Sequence, residues 1–500
     1  MSDTPLRRLA RTTAGYSLST LAGPLFTLLL TPVYTRVLAV ADYGAVDTLT
    51  MLGTALFLIS TLGIAPALTA LYYDPQRVGE QPRLVASALW AAALWATALG
   101  AIVVLAAEPL SRLALARSDL AGLTRLVGFG LPFAAISAVQ ATVLRLRFAV
   151  GRSNALALGT ILASAAANVL FVLVLRWGAA GVITAMMATN IAGGVAALLL
   201  APASLRARPR SDLMAAVVRG GLPLLPAGIA SWALLYADRL FLVRAVSLEE
   251  IGVYAIGVKL AAILGVLIEP FKSAWGPLSL SIQQQPDAPA TYARVLTYYC
   301  AAAFGLALGL SLFAHEVLLV FTTPAYAGAA DYVWLLVLGP VASGALTTVS
   351  VGLFLAKRLG RIAWSAGAAA LANTLLNLLL IPPLGALGAA IATALGYAAS
   401  PLLAAALAQR AHPLPFRWSR VALVAAVYLA LVGCGGLVGS RLEPLSLALR
   451  AALLLAYLPL LLLLGVLDVA ALRAAWVWAR QQLPARLRAQ RRAGGEGGAP

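Results

Sequence analysis

The chain has 500 residues, of which 62% are hydrophobic and only 11% are charged, and its mean hydropathy is +0.92. Because soluble domains carry about 25% charged residues, this composition excludes a soluble globular class and indicates an integral membrane protein. The net charge of +18 does not indicate nucleic-acid binding, since the positive side chains stand singly or in small groups at the ends of apolar stretches. Both cysteines lie inside apolar runs, so we expect no disulfide framework, metal cluster or cofactor.

Fourteen apolar runs are long enough to cross about 30 Å of hydrocarbon. In chain order they cover 13–37, 44–70, 84–107, 124–148, 154–176, 179–203, 213–244, 251–281, 291–314, 328–355, 361–382, 385–409, 419–439 and 446–472. Backbone polar groups in lipid must be satisfied within each segment, so the runs are predicted to be helices. The predicted fold is an all-α polytopic membrane protein. Arginine and lysine concentrate in both tails and in alternate loops, which predicts that both termini are cytoplasmic.

The hairpin between the first two predicted helices occurs twice. RVLAVADYGAVDTL, from Arg36, aligns without gaps on RAVSLEEIGVYAIG, from Arg244, and pairs an acidic residue and a glycine at matching positions. GRSNALALGTILASAAAN, ending at Asn168, similarly matches GRIAWSAGAAALANTLLN, ending at Asn377, and GAAG later matches GALG. Three matches at nearly constant spacing indicate an internal repeat.

The repeat predicts the domain organisation. Residues 1–207 and 208–412 are expected to form two lobes of six helices each, 413–475 a further helix pair, and 476–500 a basic, glycine-rich cytoplasmic tail. Because six is even, both lobes start on the same side of the membrane. They are therefore parallel repeats, the arrangement of transporters with a central cavity between two rocking bundles.

Several segments resemble a known family. GLPLLPAGIASWALLYADRLFLVRAVSLEEIGVYAIGVKLA, from Gly221 to Ala261, resembles the seventh and eighth helices of Wzx-type polysaccharide exporters of the MOP superfamily, which also holds the MurJ lipid II flippases and the MATE drug exporters. YSLSTLAGPLFTLLLTPVYTRVLAVADYG is similar to the family's first helix, and LFLAKRLGRIAWSAGAAALANTLLNLLLIPPLGALGAAIATALGY to its eleventh and twelfth. The resemblance covers nearly the whole chain, and its most specific element is Asp238-Arg239 followed by EEIGVY.

The resemblance implies a flippase of the bacterial inner membrane. Its substrate would be a polyprenyl-diphosphate-linked oligosaccharide used for O-antigen, lipopolysaccharide or exopolysaccharide synthesis. Membrane lipids, a coupling ion (proton or sodium), and a polysaccharide polymerase or glycosyltransferase are the further partners it implies, with no nucleic acid. A lipid II flippase and a MATE-like cation-coupled drug exporter remain as alternatives. An enzyme is not expected, because the longest external loop, about 108–123, lacks a catalytic set.

Charged residues deep within the runs are the candidate substrate-binding residues, because each costs about 2.5–3.5 kcal/mol at the centre of a membrane helix. Lys259 lies seven residues past Gly252 with no acid three or four positions away. It either lines the cavity or snorkels toward the outer interface. Arg239 is expected to face the diphosphate or to pair with a carboxylate. Adjacent helical residues diverge by about 100°, so Asp238 and Arg239 are not expected to point in one direction.

Three further charges complete the predicted set. Glu269 and Lys272 stand three residues apart beside Pro270, as either a structural ion pair at a kink or an inner-leaflet gate. Arg36 ends the first helix, as an interfacial anchor or a substrate contact. The repeat places Met51 where the second lobe has Lys259, so this asymmetry points to the substrate site.

Overall fold

The structure, a computed structural model, describes residues 22–23, 26–77, 79–201, 207–358, 360–439 and 443–468. These residues form helices and short connections without a strand, which confirms the predicted all-α class. The α-helices are α1 (26–37), α2 (Val40–Thr61), α3 (Ile64–Tyr72), α4 (Gln81–Leu105), α5 (Ala107–Leu115), α6 (Ala121–Leu146), α7 (Val150–Asn168), α8 (Gly178–Leu199), α9 (Ser211–Gly221), α10 (Leu225–Ala245), α11 (Leu248–Ser281), α12 (Ala288–Leu312), α13 (Ala314–Phe321), α14 (Ala330–Leu336), α15 (Leu338–Val349), α16 (Val351–Leu355), α17 (Gly360–Ala411), α18 (Trp418–Val438) and α19 (Pro444–Leu463).

Twelve helical stretches among the described residues are long and apolar enough to cross a membrane. One of them, α17, has 52 residues and a non-helical backbone at Gly385, so it comprises two helices joined at a kink. A continuous helix of that length would extend about 78 Å, far beyond one bilayer. With α17 divided and α1 as the described part of the first predicted run, the helices follow the fourteen runs expected from hydropathy.

At least three of the crossings among the described residues are interrupted, one of them at Val337 and Ser350, between α14, α15 and α16. The second crossing is interrupted between α2 and α3, where Leu62 and Gly63 both have a positive φ. The seventh is interrupted between α9 and α10 by a 3-10 turn, Leu222–Leu224, that contains Pro223 and is followed by Pro226. Prolines supply no backbone N–H, so the regular α-helical hydrogen bonds cannot continue through these positions. By contrast, α11 continues through Pro270.

We refer to 26–201 as the first half and to 207–411 as the second half. The connections between α1 and α2 and between α10 and α11 lie at one end of the bundle, the hairpin end, and 207–210 lies at the opposite end, the linker end. The two hairpins pack directly against each other. A Cβ on Gly44 would lie 1.9 Å from the carbonyl oxygen of Leu248, and one on Gly252 would lie 2.4 Å from that of Val40. Only glycine permits this approach of two backbones.

A second pair of contacts repeats between the halves. Gly178 and Gly385 have nearly the same positive φ, 58° and 57°. A Cβ on Gly178 would meet a carboxylate oxygen of Asp42 at 3.0 Å, and one on Gly385 would meet that of Glu250 at 2.8 Å. Glu250 also accepts a hydrogen bond from the backbone N–H of Ala386 at 3.1 Å. The acidic residue of each hairpin thus packs against the glycine that begins its own half's sixth helix.

The apolar core differs between the two ends. One buried cluster runs through both halves and includes Tyr43 and Leu49 from α2 and Tyr254 and Leu264 from α11. A second cluster lies in the first half and also takes in residues of α9, among them Leu213. The seventh crossing therefore packs its first segment on the first half and its second segment, α10, against α17 of the second half.

Candidate functional site

Arg239 forms a buried ion-pair group that joins the two halves. Its side chain is 3% exposed, and Nη1 lies 2.9 Å from both carboxylate oxygens of Asp238. Nε donates to Asp47 of α2 at 3.0 Å, so this pair links α10 of the second half to the first half. Asp238 and Arg239 leave α10 about 100° apart, as adjacent helical residues do, and the long arginine side chain bends back to reach its neighbour.

Two tyrosines complete the surroundings of this group. The hydroxyl of Tyr254 donates to Asp238 at 2.6 Å. The guanidinium carbon of Arg239 lies 5.4 Å from the ring centre of Tyr254 and 5.6 Å from that of Tyr236, within the range of cation–π attraction. Burying a charge is costly unless it is paired and hydrogen-bonded, and here two carboxylates and two aromatic faces compensate one guanidinium. This group carries a formal charge of −1.

Lys259 lies on α11, five residues beyond Tyr254, and has a different environment. Its Nζ lies 4.8 Å from the ring centre of Tyr43, on α2 of the first half. Among the described residues it makes no ion pair or hydrogen bond, and Asp47 and Arg239 are the charges that act on it electrostatically. Its position, eleven residues past the start of α11 at Leu248, places it about 16 Å along the helix axis. Lys259 is thus a cation without a bonded carboxylate beside a group that carries excess negative charge.

Glu269 and Lys272 lie away from these residues. Their side chains form an ion pair of 2.9 Å on α11, and both are partly exposed. Lys259 and Glu269 are ten residues apart, about 15 Å along the helix, so the structure does not bring the two sets together. The ion pair named as one of the two sequence hypotheses is present.

Arg36 contacts the opposite half at the hairpin end. Its Nη1 donates to the carbonyl of Pro32 at 3.3 Å within its own helix, and Nη2 donates to the carbonyl of Val320, in the last turn of α13, at 3.1 Å. Its repeat counterpart Arg244 donates from Nη1 to Leu240 of its own helix and from Nη2 to the carbonyl of Leu113, in the last turn of α5. Each half therefore provides one arginine and one short helix, and the contacts cross reciprocally.

These crossing contacts have a simple chemical basis. The last carbonyl groups of a helix have no partner within it, and a positive side chain is favourable at that end. A guanidinium has enough donors to bond its own helix and the neighbouring helix at once. The two arginines therefore hold the halves together at the hairpin end.

Sequence reasoning did not find several of the residues in these groups. Asp47, Tyr43 and Tyr254 were not among the candidates, because one carboxylate in an apolar run does not reveal its direction and the tyrosines carried no signal beyond aromatic residues in apolar runs. Arg244 was used only to identify the repeat and was not predicted as a functional residue. The repeated hairpin could have identified it, because its counterpart Arg36 was already a candidate.

Comparison with known proteins now places the chain in a family. Residues 33–331 match the polysaccharide biosynthesis protein family. The chain belongs to this family. A comparison with the curated proteins gave no match.

Solved structures share the fold of this family member. The lipid II flippase MurJ in an inward closed conformation is similar with a TM-score of 0.69 and 12% identity, over 89% of this chain and 97% of that one. A multidrug resistance MATE family transporter of the MOP superfamily, inward-facing, follows with a TM-score of 0.61 and 13% identity, over 83% and 99%. A MATE protein in complex with MaL6 has a TM-score of 0.55 and 13% identity, over 85% and 98%. These likenesses confirm the predicted polytopic all-α fold.

Proposed function

We propose that the protein flips a polyprenyl-diphosphate-linked oligosaccharide across the bacterial inner membrane, for the synthesis of a surface polysaccharide such as O-antigen or exopolysaccharide. The family match supports the polysaccharide assignment, and the fold of flippases and transporters supports transport rather than catalysis. The proposal takes 1–207 and 208–412 as two rocking lobes, with 413–475 as an appended helix pair and 476–500 as a cytoplasmic tail. The repeated contacts of both hairpins support that division.

The charge bias of the sequence supports an orientation in which the linker end and both termini face the cytoplasm. The hairpin end would then face outward. In the structure the two halves pack against each other at the hairpin end through the paired glycines and the crossing arginines. The structure would accordingly represent a state closed to the outside, which can receive a head group from the inner leaflet. Glu269 and Lys272, near the linker end of α11, would lie where that head group enters.

The observation that carries the proposal is Lys259. Moving a diphosphate into hydrocarbon unaided meets a barrier on the order of tens of kcal/mol, so the carrier must supply positive charge within the membrane. Lys259 faces an aromatic ring and has no bonded carboxylate among the described residues, so its amino group is not committed to an acidic partner there. In this proposal Lys259 contacts the diphosphate.

Arg239 has a second, conditional role in this mechanism. Its contact with Asp47 crosses between the halves, whereas its contact with Asp238 stays within α10. If the halves separate at the hairpin end, the first contact breaks and the second remains. We propose that Arg239 then exchanges Asp47 for the diphosphate, with Asp238 and Tyr254 positioning it. Arg36 acts in closure of the outer gate.

One observation favours a different substrate class. Asp47 and Asp238 place two carboxylates in the buried group, and carboxylates suit a cationic ligand, as expected for a cation-coupled drug exporter. A flippase for an anionic lipid and an exporter of cations should respond differently to the substitution of Lys259. Loss of Lys259 should abolish transport of an anionic lipid, whereas an exporter of cations would tolerate the loss or benefit from it.

The test is to deplete the protein in its native cell and to locate the lipid-linked glycan by its accessibility to a membrane-impermeant probe on spheroplasts. We expect the glycan to accumulate on the inner leaflet, and K259M to reproduce this with normal protein levels. K259M keeps a long unbranched side chain without the charge and matches Met51 of the repeat. K357M, at an exposed lysine of the linker end, is the matched control. Unchanged glycan distribution on depletion, together with loss of resistance to cationic drugs, would support the exporter instead.

A further inference from the structure

A basic pocket of about 490 Å³ lies at the linker end, where the appended helix pair meets the second half. It is formed by the beginning of α12, the beginning of α18 and the residues just after α19. Its charged lining residues are Arg294, Arg417, Arg420 and Asp468, with the hydroxyl groups of Thr297 and Tyr298 beside them. Three guanidinium groups face one carboxylate, so the pocket carries a net positive charge.

The chain around this pocket is held in place. Gln409 fixes the loop before α18 by donating to the carbonyl of Leu414 at 2.6 Å and accepting from its N–H at 3.0 Å. The ring of Phe416 packs edge-on against that of Trp418 with 5.7 Å between centres. Arg420 donates to the carbonyl of Val466 at 3.3 Å and so ties α18 to the segment after α19. Arg417 stands between these anchored residues.

The guanidinium groups of the pocket are only weakly neutralised. Arg294 lies 4.0 Å from Asp287, and both side chains are more than half exposed. Arg417 has no carboxylate partner among the described residues, and Arg420 uses its guanidinium on a backbone carbonyl. Such groups retain donors for an oxyanion, and arginine matches phosphate geometry through paired N–H donors.

An apolar groove of about 570 Å³ lies next to the pocket. The two share helices and successive residues. On α12, Leu296 lines the groove and Thr297 the pocket, while at the start of α18 Trp418 and Val421 line the groove and Arg420 the pocket. The groove then extends along α12 past Cys300 and Phe304, about 12 Å from Leu296 at 1.5 Å per residue.

We propose that this pocket binds the phosphate of an anionic phospholipid whose acyl chains occupy the groove. In the proposed orientation the pocket lies at the cytoplasmic surface, where a basic pocket between membrane helices is suited to an acidic lipid head group. A tryptophan such as Trp418 is typical of the membrane interface. The bound lipid joins α18 and α19 to the second half. The inference does not depend on the substrate carried, because it involves none of Asp47, Asp238, Arg239 or Lys259.

The experiment uses the full-length purified protein and native mass spectrometry, with phosphatidylglycerol as the anionic lipid and phosphatidylcholine as the neutral one. The wild type should retain phosphatidylglycerol preferentially. R294Q/R417Q/R420Q should bind it about tenfold or more weakly, because several charge-assisted hydrogen bonds are lost. K357Q/R358Q/R361Q removes as many charges from the linker end outside the pocket and should bind as the wild type does.

A second variant separates the lipid from its phosphate. A422F places a large side chain in the groove at an exposed alanine, so folding should be unaffected. It should weaken phosphatidylglycerol binding and leave a phosphate-only probe, glycerol 3-phosphate, unchanged. Equal binding by the pocket variant and its control would overturn the proposal. Displacement of the lipid by millimolar inorganic phosphate would also overturn it. Stronger retention of a polyprenyl phosphate would overturn it too, because the pocket would then be a binding site for the transported lipid.

Discussion

Removing both crossing arginines is expected to open the hairpin end of the molecule. Arg36 reaches the last turn of α13 at Val320, and Arg244 reaches the last turn of α5 at Leu113. Each contact joins one half to the other, so both must break when the halves separate there. R36A/R244A therefore destabilises the closed state without removing a side chain from the buried core.

The structure sets the size of the effect. Both arginines are exposed, so each contact is weakened by solvent and contributes at most about 1 kcal/mol. Loss of one contact should raise the ratio of open to closed molecules by up to about fivefold, and loss of both by up to about thirtyfold. Because the contacts are equivalent in the repeat, R36A and R244A should have similar effects. Lysine at both positions should restore only part of the closure, since an ammonium lacks the planar fork that bonds two helices.

The assay is the distance between spin labels at S118C and A325C, measured by double electron–electron resonance in lipid nanodiscs. Both positions are exposed, and each belongs to the hairpin end of a different half. The native Cys300 and Cys434 are first replaced by serine, and transport in that background is checked. R112A is the matched control, because this exposed arginine of α5 forms its ion pair within the same helix.

A longer distance population should grow from the background protein through the single variants to the double variant. An unchanged distance distribution in R36A/R244A would refute the view that these contacts hold the halves together. An equal shift in R112A would show that loss of surface charge, rather than loss of the crossing contacts, opens the molecule.

Three further predictions concern stability, measured as thermal unfolding in detergent. R239A should destabilise strongly, by about 3–5 kcal/mol, because it leaves two carboxylates without their cation; a change below 1 kcal/mol would show that the group is solvated. E316A should loosen α19, since Arg450 is 3% exposed and bonds both oxygens of Glu316, whereas E108A, the exposed repeat counterpart, should have little effect; equal effects would contradict this. G385A should cost about 1–3 kcal/mol through backbone strain at φ 57°, and wild-type stability would contradict the assigned conformation.

The number and order of the helices could be predicted because lipid imposes a simple rule on sequence. An apolar run of sufficient length must form a helix, and the run from Leu248 to Ser281 does so even across Pro270. The breaks were harder to place. Pro223 and Pro226 lie at one break, and Pro66, which has no N–H to bond the carbonyl of Leu62, lies just past another. Proline alone does not mark a break, however, because α11 continues through Pro270.

The sequence predicts which charged residues belong to the candidate site, but it does not predict which side chains they contact. Hydropathy identifies Lys259 and Arg239 because each is costly in lipid. It cannot show that Asp47, distant in the chain, neutralises Arg239, or that Tyr43 lies against Lys259. Those partners depend on how α2 packs on α10 and α11. In a membrane protein the lipid and the core are equally apolar, so the pattern of apolar residues does not show which face of a helix meets which neighbour.

The repeat also separates two kinds of residue. The contacts that close the hairpin end occur twice, as Arg36 with Arg244 and Gly44 with Gly252, so closure has approximate two-fold symmetry. The buried charged group occurs once: the repeat places Leu30, Thr31, Val46, Met51 and Ala255 where the partner half has Asp238, Arg239, Tyr254, Lys259 and Asp47. In the proposed mechanism, both halves would move alike at the hairpin end, while the charged residues that meet the substrate differ between the halves. A variant that introduces lysine at Met51 would remove that difference, and we expect it to alter substrate affinity without altering the spin-label distances at the hairpin end.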